Sequence, residues 1–187
     1  MTRLVMLGKQ GAGKGTQAER VAVHYGVVHL STGDLFRKQA DLGTPVGLEA
    51  KRYMDRGELV PDDVVIQVAE ESLAPGGSLS NGFVLDGFPR TLDQAIALER
   101  LVGDDPVDVC VNLDVPECIV VERMVARGRE DDTKEAIHRR LELYAKETEP
   151  IIDFYRDLGK LVVIDGVGET DEVFARIITA VDASRSH

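Results

Sequence analysis

Residues 4–25 read LVMLGKQGAGKGTQAERVAVHY, and this segment gives the clearest indication of the fold. Four apolar residues predict a short buried strand, and Gln17–Tyr25 have helical spacing. Between them, glycines let backbone N–H groups turn inward around phosphate oxygens, while Lys14 adds a positive charge. A strand before such a loop and a helix after it distinguish a phosphate loop from an incidental glycine turn. The segment therefore predicts a nucleotide phosphate site formed by Gly11, Ala12, Gly13, Lys14, Gly15 and Thr16.

The position after Lys14 is Gly15, where many phosphate loops have a Ser or Thr that ligates Mg²⁺. We therefore expect phosphate oxygens and water to hold Mg²⁺, with a protein carboxylate close to those waters and no metal ligand on the protein itself. Asp86, which ends the apolar run Phe83–Leu85, is the candidate carboxylate. The alternative role for Asp86 is to cap the helix that follows.

Further apolar runs follow the first strand, at Val27–Leu30, Phe83–Leu85, Val107–Leu113 and Leu161–Ile164. These runs are apolar throughout and do not alternate, which is typical of strands that are covered on both faces. Helical spacing between them predicts an α/β fold with a parallel sheet flanked by helices, in one domain over residues 1–187. Two stretches interrupt this alternation: a polar, largely helical one at about residues 31–60, and a short, charged one at about residues 126–133.

The chain is acidic, with 33 Asp and Glu against 22 Lys and Arg and a formal net charge of −11. Such a surface repels nucleic acid and anionic lipid, so neither is an expected partner. No leader pattern opens the sequence and no apolar run has the length of a membrane span, so the expected location is the cytoplasm. We expect a monomer by default. Cys110 and Cys118 are expected to be core thiols, and no Cys/His pattern indicates a structural zinc.

Two polar segments follow the predicted second and third strands. One is Ser31–Arg37, reading STGDLFR; the other is Asp86–Thr91, reading DGFPRT, with Gln94 close behind. Open α/β sheets bind ligands at the carboxyl ends of their strands, so both segments are expected to face one acceptor molecule.

These motifs together resemble those of adenylate kinases. The likeness covers nearly the whole length and includes the phosphate loop, STGDLFR, DGFPRTLDQ, VNLDVPE, ARGREDDT and DGVG. It implies a P-loop NTPase-type three-layer fold with a central parallel five-stranded sheet. It also implies a small helical AMP-binding insert at about residues 31–60 and a short lid at about residues 126–133, without zinc. The implied activity is reversible phosphoryl transfer from Mg-ATP to AMP, giving two ADP, with a role in adenine nucleotide homeostasis.

The resemblance also assigns individual residues by position. For ATP it adds Arg127 and Gly168 to the phosphate loop. For AMP it implies Thr32, Arg37, Glu58, Leu59, Val60, Gly87, Phe88, Pro89, Arg90, Gln94, Arg129 and Arg140. The residues implied in catalysis are Lys14, Asp86, Arg90, Arg123, Arg127, Arg129 and Arg140.

Elementary electrostatics favours the same residues. Two polyanions must be brought into line, and the transition state spreads charge over phosphoryl oxygens that cationic side chains stabilise. The phosphate of AMP is the nucleophile, so no Ser, Cys or His nucleophile is required. Ordinary surface ion pairing is the alternative for each arginine. Arg123 in particular has Glu122 and Glu130 as candidate partners, and Arg139 is easily confused with Arg140.

Thr32 and Gln94 favour adenine as the acceptor base, because related pyrimidine nucleotide kinases tend to have alanine at the first position. Gln10 departs from the family, which usually has proline there, and gives up some loop rigidity. Glu130, Asp131 and Asp132 are expected to be a solvated acidic cluster. A UMP or CMP kinase, a P-loop switch and a small-metabolite kinase remain the alternatives, although the guanine-reading Asn-Lys-x-Asp segment of GTPase switches is absent from the sequence.

Overall fold

A sheet of five parallel strands forms the centre of the molecule in the computed structural model, which describes residues 2–74, 76, 77, 79–104 and 106–185. The strand order is β2-β3-β1-β4-β5. The strands are β1 (Arg3–Gly8), β2 (Val28–Ser31), β3 (Phe83–Asp86), β4 (Val109–Asp114) and β5 (Leu161–Asp165). Each predicted apolar run overlaps one of them, so the predicted fold class is confirmed. The fourth run starts too early, because Val107 packs in the core ahead of the strand.

Helices connect the strands and cover both faces of the sheet. They are α1 (Lys14–Tyr25), α2 (Thr32–Asp41), α3 (Pro45–Asp55), α4 (Asp62–Leu73), α5 (Leu92–Val102), α6 (Glu117–Arg127), α7 (Lys134–Leu143), α8 (Glu149–Asp157) and α9 (Thr170–Arg185). A π-helical turn at Tyr144–Thr148 joins α7 to α8. None of the helices in the described ranges is both long and apolar enough to cross a bilayer.

The core has two layers, one on each face of the sheet. On one face, Leu4, Met6 and Val84 pack with buried residues of α1, α6 and α9. On the other face, Val5 and Leu85 pack with buried residues of α4, α5 and α8. Burial of each large apolar side chain contributes about 1.5–3 kcal/mol. The two layers therefore hold the strand ends, and the loops that leave them, in fixed positions.

The two cysteines differ in their surroundings. Cys110 lies in β4 and is fully buried, as predicted. The prediction for Cys118 is wrong, because its side chain is exposed. The core-facing side of α6 is the one that carries Val120 and Met124, and Cys118 lies on the opposite side.

The sheet register brings the predicted segments together. Asp86, at the end of β3, lies opposite both Met6 of β1 and Ser31 of β2. The phosphate loop after β1 and the two polar segments after β2 and β3 therefore leave the sheet side by side.

Candidate active site

The phosphate loop runs from Gly8, at the end of β1, to Lys14, which begins α1. Gly11 has a φ of 86°, and a Cβ there would lie 2.6 Å from the carbonyl oxygen of Val120. Only glycine fits, since a side chain would be strained by the backbone conformation and would collide with α6. The loop between β1 and α1 therefore packs directly against α6. It leads into the start of α1, where backbone N–H groups favour anions.

Lys14 is held across the loop that it follows. Its Nζ donates hydrogen bonds to the carbonyl oxygens of Gly8 (2.7 Å) and Lys9 (3.0 Å). Burial lowers the pKa of Lys14 to about 8; Asp86 opposes that change, while Arg90 and Arg127 add to it. The ammonium group is therefore positioned among other cations, in surroundings that an incoming phosphate would stabilise.

Asp86 lies beside the phosphate loop and is almost buried, with 9% of its surface exposed. A Cβ on Gly15 would lie 3.4 Å from its Oδ2, in ordinary van der Waals contact, so the carboxylate lies directly beside the loop. The capping alternative for Asp86 is wrong, because the side chain that caps α5 is Thr91. A carboxylate beside the loop, with the Thr16 hydroxyl on the same cleft, suits a hydrated Mg²⁺ that is bound mainly by phosphates.

The two acceptor segments are joined at the carbonyl oxygen of Gly87. Thr32 Oγ1 donates to this oxygen at 2.9 Å, and Arg90 Nε donates to it at 2.8 Å. Burial lowers the pKa of Arg90; Asp86 opposes this effect, while Arg140 and Arg37 reinforce it. Like charges thus gather around Arg90, and the site favours an anionic ligand.

Arg127 and Arg140 share one buried carboxylate. Asp132 accepts two hydrogen bonds from Arg127, at 3.0 and 2.9 Å, and one from Arg140 at 2.8 Å. Arg140 also pairs with Asp131 and donates to the carbonyl oxygen of Met54 at 3.0 Å. The prediction of a solvated acidic cluster is therefore wrong for Asp131 and Asp132, whose side chains are 9% and 1% exposed, and fits only Glu130, at 96%.

Arg37 and Arg129 converge on Asp34. The Arg37 guanidinium lies 2.6 Å from Asp34 Oδ1, and that of Arg129 lies 3.7 Å from the same atom. Burial works to raise the pKa of Asp34, but bonds and charge from Arg37, Ser31 and Arg129 lower it overall. Arg129, in turn, has a pKa lowered by burial and by the nearby charges of Arg37 and Arg127, with Asp34 and Asp131 in opposition.

Arg123 contacts the backbone of the phosphate loop and of the segment after β5. Its guanidinium donates to the carbonyl oxygen of Ala12 at 3.2 Å and to that of Gly166 at 3.3 Å. The suggested pairing with Glu122 or Glu130 is not among its contacts in the described part of the chain.

One cleft of about 660 Å³ joins these features. The predicted residues that line it are Gly11, Gly13, Lys14, Gly15, Thr16, Thr32, Arg37, Glu58, Leu59, Val60, Asp86, Gly87, Pro89, Arg90, Gln94, Arg123, Arg127, Arg129 and Arg140. Three predicted residues do not line it. Ala12 and Phe88 are buried in the core, and Gly168 lies near Glu172 and Arg176.

Several residues of the cleft were not foreseen from the sequence. Asp34 lies inside the STGDLFR motif and could have been found as a partner for arginine. Tyr144 and Thr148 line the cleft because of the π-helical turn, for which the sequence has no signal. Thr148 Oγ1 donates to the carbonyl oxygen of Arg90 at 2.8 Å, and so fixes the backbone of the acceptor segment.

The parallel sheet, the phosphate loop and the cation-lined cleft define a P-loop protein that binds nucleotide phosphates. A family model described as adenylate kinase matches residues 6–160. An adenylate kinase of Nocardia farcinica is 51% identical over 96% of this chain and 98% of its own length. Those of Xanthomonas euvesicatoria and Rhodococcus erythropolis are 46% and 48% identical, over the same shares of the two chains. The chain belongs to the adenylate kinase family, which confirms the predicted resemblance, and it is a phosphotransferase of nucleotides.

Proposed function

We propose that the chain transfers the terminal phosphoryl group of Mg-ATP to AMP, reversibly and in line, to give two ADP. One observation carries this proposal: the phosphate loop and the acceptor segments open into the same cleft, with cationic side chains between them. A protein that only bound or hydrolysed one nucleotide would have no use for the second group of cations. An acceptor without a phosphate would bring no anion to Arg37 and Arg90, the cations on the acceptor side of the cleft.

In this mechanism Gly11–Thr16 and Arg127 hold the phosphates of ATP. Arg37, Arg90 and Arg140 hold the phosphate of AMP, which is itself the nucleophile. Lys14 and the arginines stabilise the charge that develops on the phosphoryl oxygens, and they are already positioned before the reaction begins. Orientation of two bound substrates removes much of the entropic barrier to their reaction.

Mg²⁺ fits beside the phosphate loop, where Asp86 and Thr16 would contact its waters. When bound with ATP it neutralises phosphate charge. The role of Asp86 in this arrangement is to orient those waters and to balance the positive charge of Lys14 and Arg90. Gly15 lies next to this carboxylate, since a Cβ there would be 3.4 Å from Asp86 Oδ2.

Closure over the substrates would keep water away from the transferred group. We assign the AMP-side flap to residues 31–60, which contain α2 and α3, and the lid to residues 126–133, between α6 and α7. Asp34 pairs with Arg37 and Arg129. Asp132 accepts hydrogen bonds from Arg127 and Arg140. These carboxylates would orient the guanidinium groups toward the substrate phosphates.

Thr32 and Gln94 support AMP as the acceptor, since both line the cleft beside Arg90. We further propose a cytoplasmic monomer that helps to balance the adenine nucleotides of the cell. A kinase for UMP or CMP would share the fold and mechanism, and differs only in the base that it accepts.

A bisubstrate dinucleotide, two adenosines joined through five phosphates, tests whether both halves of the cleft are used together. We expect one molecule to bind per chain, more tightly than ATP or AMP alone. It should inhibit phosphoryl transfer with respect to both ATP and AMP. Arg140→Ala should weaken this binding, because the side chain is almost buried in the cleft. Arg139→Ala is the matched control, since the Arg139 side chain is 54% exposed and pairs only with Glu58 among the described residues. Binding no tighter than that of ATP, or equal effects of the two variants, would contradict the proposal.

A further inference from the structure

The side-chain amide of Gln94 is hydrogen-bonded at both of its ends. Its Oε1 accepts from the backbone N–H of Arg90 at 2.7 Å, and its Nε2 donates to Asp62 Oδ1 at 2.7 Å. Gln94 is only 1% exposed, yet it lines the cleft on the acceptor side. The amide is therefore part of both the protein interior and the ligand site.

Asp62 begins α4 and is not among the residues that line the cleft. Its second carboxylate oxygen, Oδ2, accepts from Thr91 Oγ1 at 2.9 Å, and the same Thr91 oxygen accepts from the backbone N–H of Gln94 at 3.2 Å. An ionised carboxylate only accepts hydrogen bonds, so both of its neighbours must donate to it.

These contacts permit one orientation of the Gln94 amide. If the amide were flipped, Oε1 would face the carboxylate of Asp62 and the NH₂ group would face the N–H of Arg90. Acceptor would meet acceptor and donor would meet donor, and two buried hydrogen bonds would be lost. The backbone N–H cannot change its character, and within the described part of the chain the other end is held by Asp62.

We infer that Asp62 is a positioning residue that makes the site select a 6-aminopurine over a 6-oxopurine. This inference rests on the proposed function, in which Gln94 faces the base of the acceptor nucleotide. With the amide fixed, Nε2 keeps one N–H to donate and Oε1 keeps one lone pair to accept. Adenine offers the matching edge, because its N1 accepts and its 6-amino group donates. Hypoxanthine reverses both positions, since its N1–H donates and its 6-oxygen accepts.

Asp62→Asn changes one atom of the carboxylate and supplies both a donor and an acceptor. The NH₂ group of the new side chain can then face a flipped Gln94, whose outward edge would suit hypoxanthine. The N–H of Arg90 still favours the original orientation, so we expect selectivity to fall and not to invert. Loss of one charge-assisted hydrogen bond corresponds to about a tenfold or larger change in the ratio of the two specificities.

The test compares AMP with IMP as acceptors of phosphate from Mg-ATP, with kcat/KM as the readout. The wild type should strongly prefer AMP. In Asp62→Asn the preference should fall by about tenfold or more. Asp63→Asn is the matched control, because Asp63 lies in the same first turn of α4, is exposed and carries the same charge. This control should keep the wild-type ratio.

Circular dichroism and thermal unfolding establish that each variant is folded. If Asp62→Asn does not fold, Asp62→Ser also removes the fixed acceptor, and the same fall in preference is expected. An unchanged AMP to IMP ratio in a folded Asp62 variant would overturn the inference and leave the proposed function intact, even if both rates fell together. A wild type that phosphorylates neither nucleotide would instead overturn the proposed function, and this inference with it.

Discussion

Asp132→Asn is the substitution that most directly tests how Arg127 and Arg140 are held in position. The Asp132 side chain is 1% exposed and accepts three hydrogen bonds from Arg127 and Arg140. Asparagine has nearly the same shape, but it removes the negative charge and places an NH₂ group against guanidinium donors. The variant should therefore lose stability and misplace both arginines.

The size of the effect follows from these contacts. Breaking a buried ion pair by removing one partner costs about 3–5 kcal/mol. The cost is smaller here, because 31% of the Arg127 side chain is exposed and Arg140 retains Asp131 and the Met54 carbonyl. We expect the free energy of unfolding to fall by about 2–3 kcal/mol, which lowers Tm by about 4–12 °C in a chain of this size. Misplaced cations should lower kcat/KM by about tenfold to a hundredfold.

Thermal unfolding in the absence of nucleotide measures the change in Tm. ADP formation at saturating and at limiting AMP measures the change in kcat/KM. Glu130→Gln is the control, since it removes the same charge from a side chain that is 96% exposed and should be nearly neutral. The reasoning would be refuted by an Asp132→Asn protein with the Tm and kcat/KM of the wild type. Equal losses in Glu130→Gln would attribute the effect to net charge instead.

Three further predictions concern the phosphate loop and the end of the AMP-side flap. Lys14→Ala should lower turnover by about 100- to 1,000-fold while the protein stays folded, and near-normal turnover would exclude a role for Lys14 in the reaction. Because burial lowers the pKa of Lys14 to about 8, its charge is present below that pH and lost above it. ATP affinity, measured by calorimetry, should fall as pH rises from 8 to 9.5 in the wild type but stay level in Lys14→Arg; a level wild-type profile would contradict this. Gly57 has a φ of 70°, and a Cβ there would lie 2.5 Å from the Ala136 carbonyl oxygen. Gly57→Ala should reduce the free energy of unfolding by about 2–4 kcal/mol in denaturant titrations, and an unchanged value would contradict the contact.

The fold class could be predicted because the central strands are covered on both faces. Their sequences are continuous apolar runs, and each run is followed by a polar turn or loop. The strand order could not be predicted from these runs. β1 lies between β3 and β4, and both of these strands are far from it along the chain. The resemblance to adenylate kinases supplied the number of strands and the three-layer arrangement, but no strand order.

The cationic side of the site was easier to predict than its anionic side. Lys14 and the arginines stand in recognisable motifs, and most of them line the cleft. The carboxylates that hold them stand in no comparable motif, although Asp34 and Asp132 lie close in sequence to Arg37 and Arg127. Asp62, which holds the amide of Gln94, belongs to a different helix. Asp131 and Asp132 form an acidic run next to a helix start, a pattern that predicts exposed side chains. Their burial can be explained only when the positions of Arg127 and Arg140 are known. Cys118 was misplaced for a related reason, since a helix that covers one face of the sheet still has an exposed side.

ADP formation from Mg-ATP with AMP, UMP, CMP, GMP or no acceptor tests the central claim most directly, with both nucleotides followed in the same reaction. We predict rapid formation of two ADP for each ATP consumed with AMP, and little reaction with the other acceptors. Preference for a pyrimidine nucleotide would contradict the assignment of the base site, and ATP loss that is independent of any acceptor would contradict phosphoryl transfer between two nucleotides.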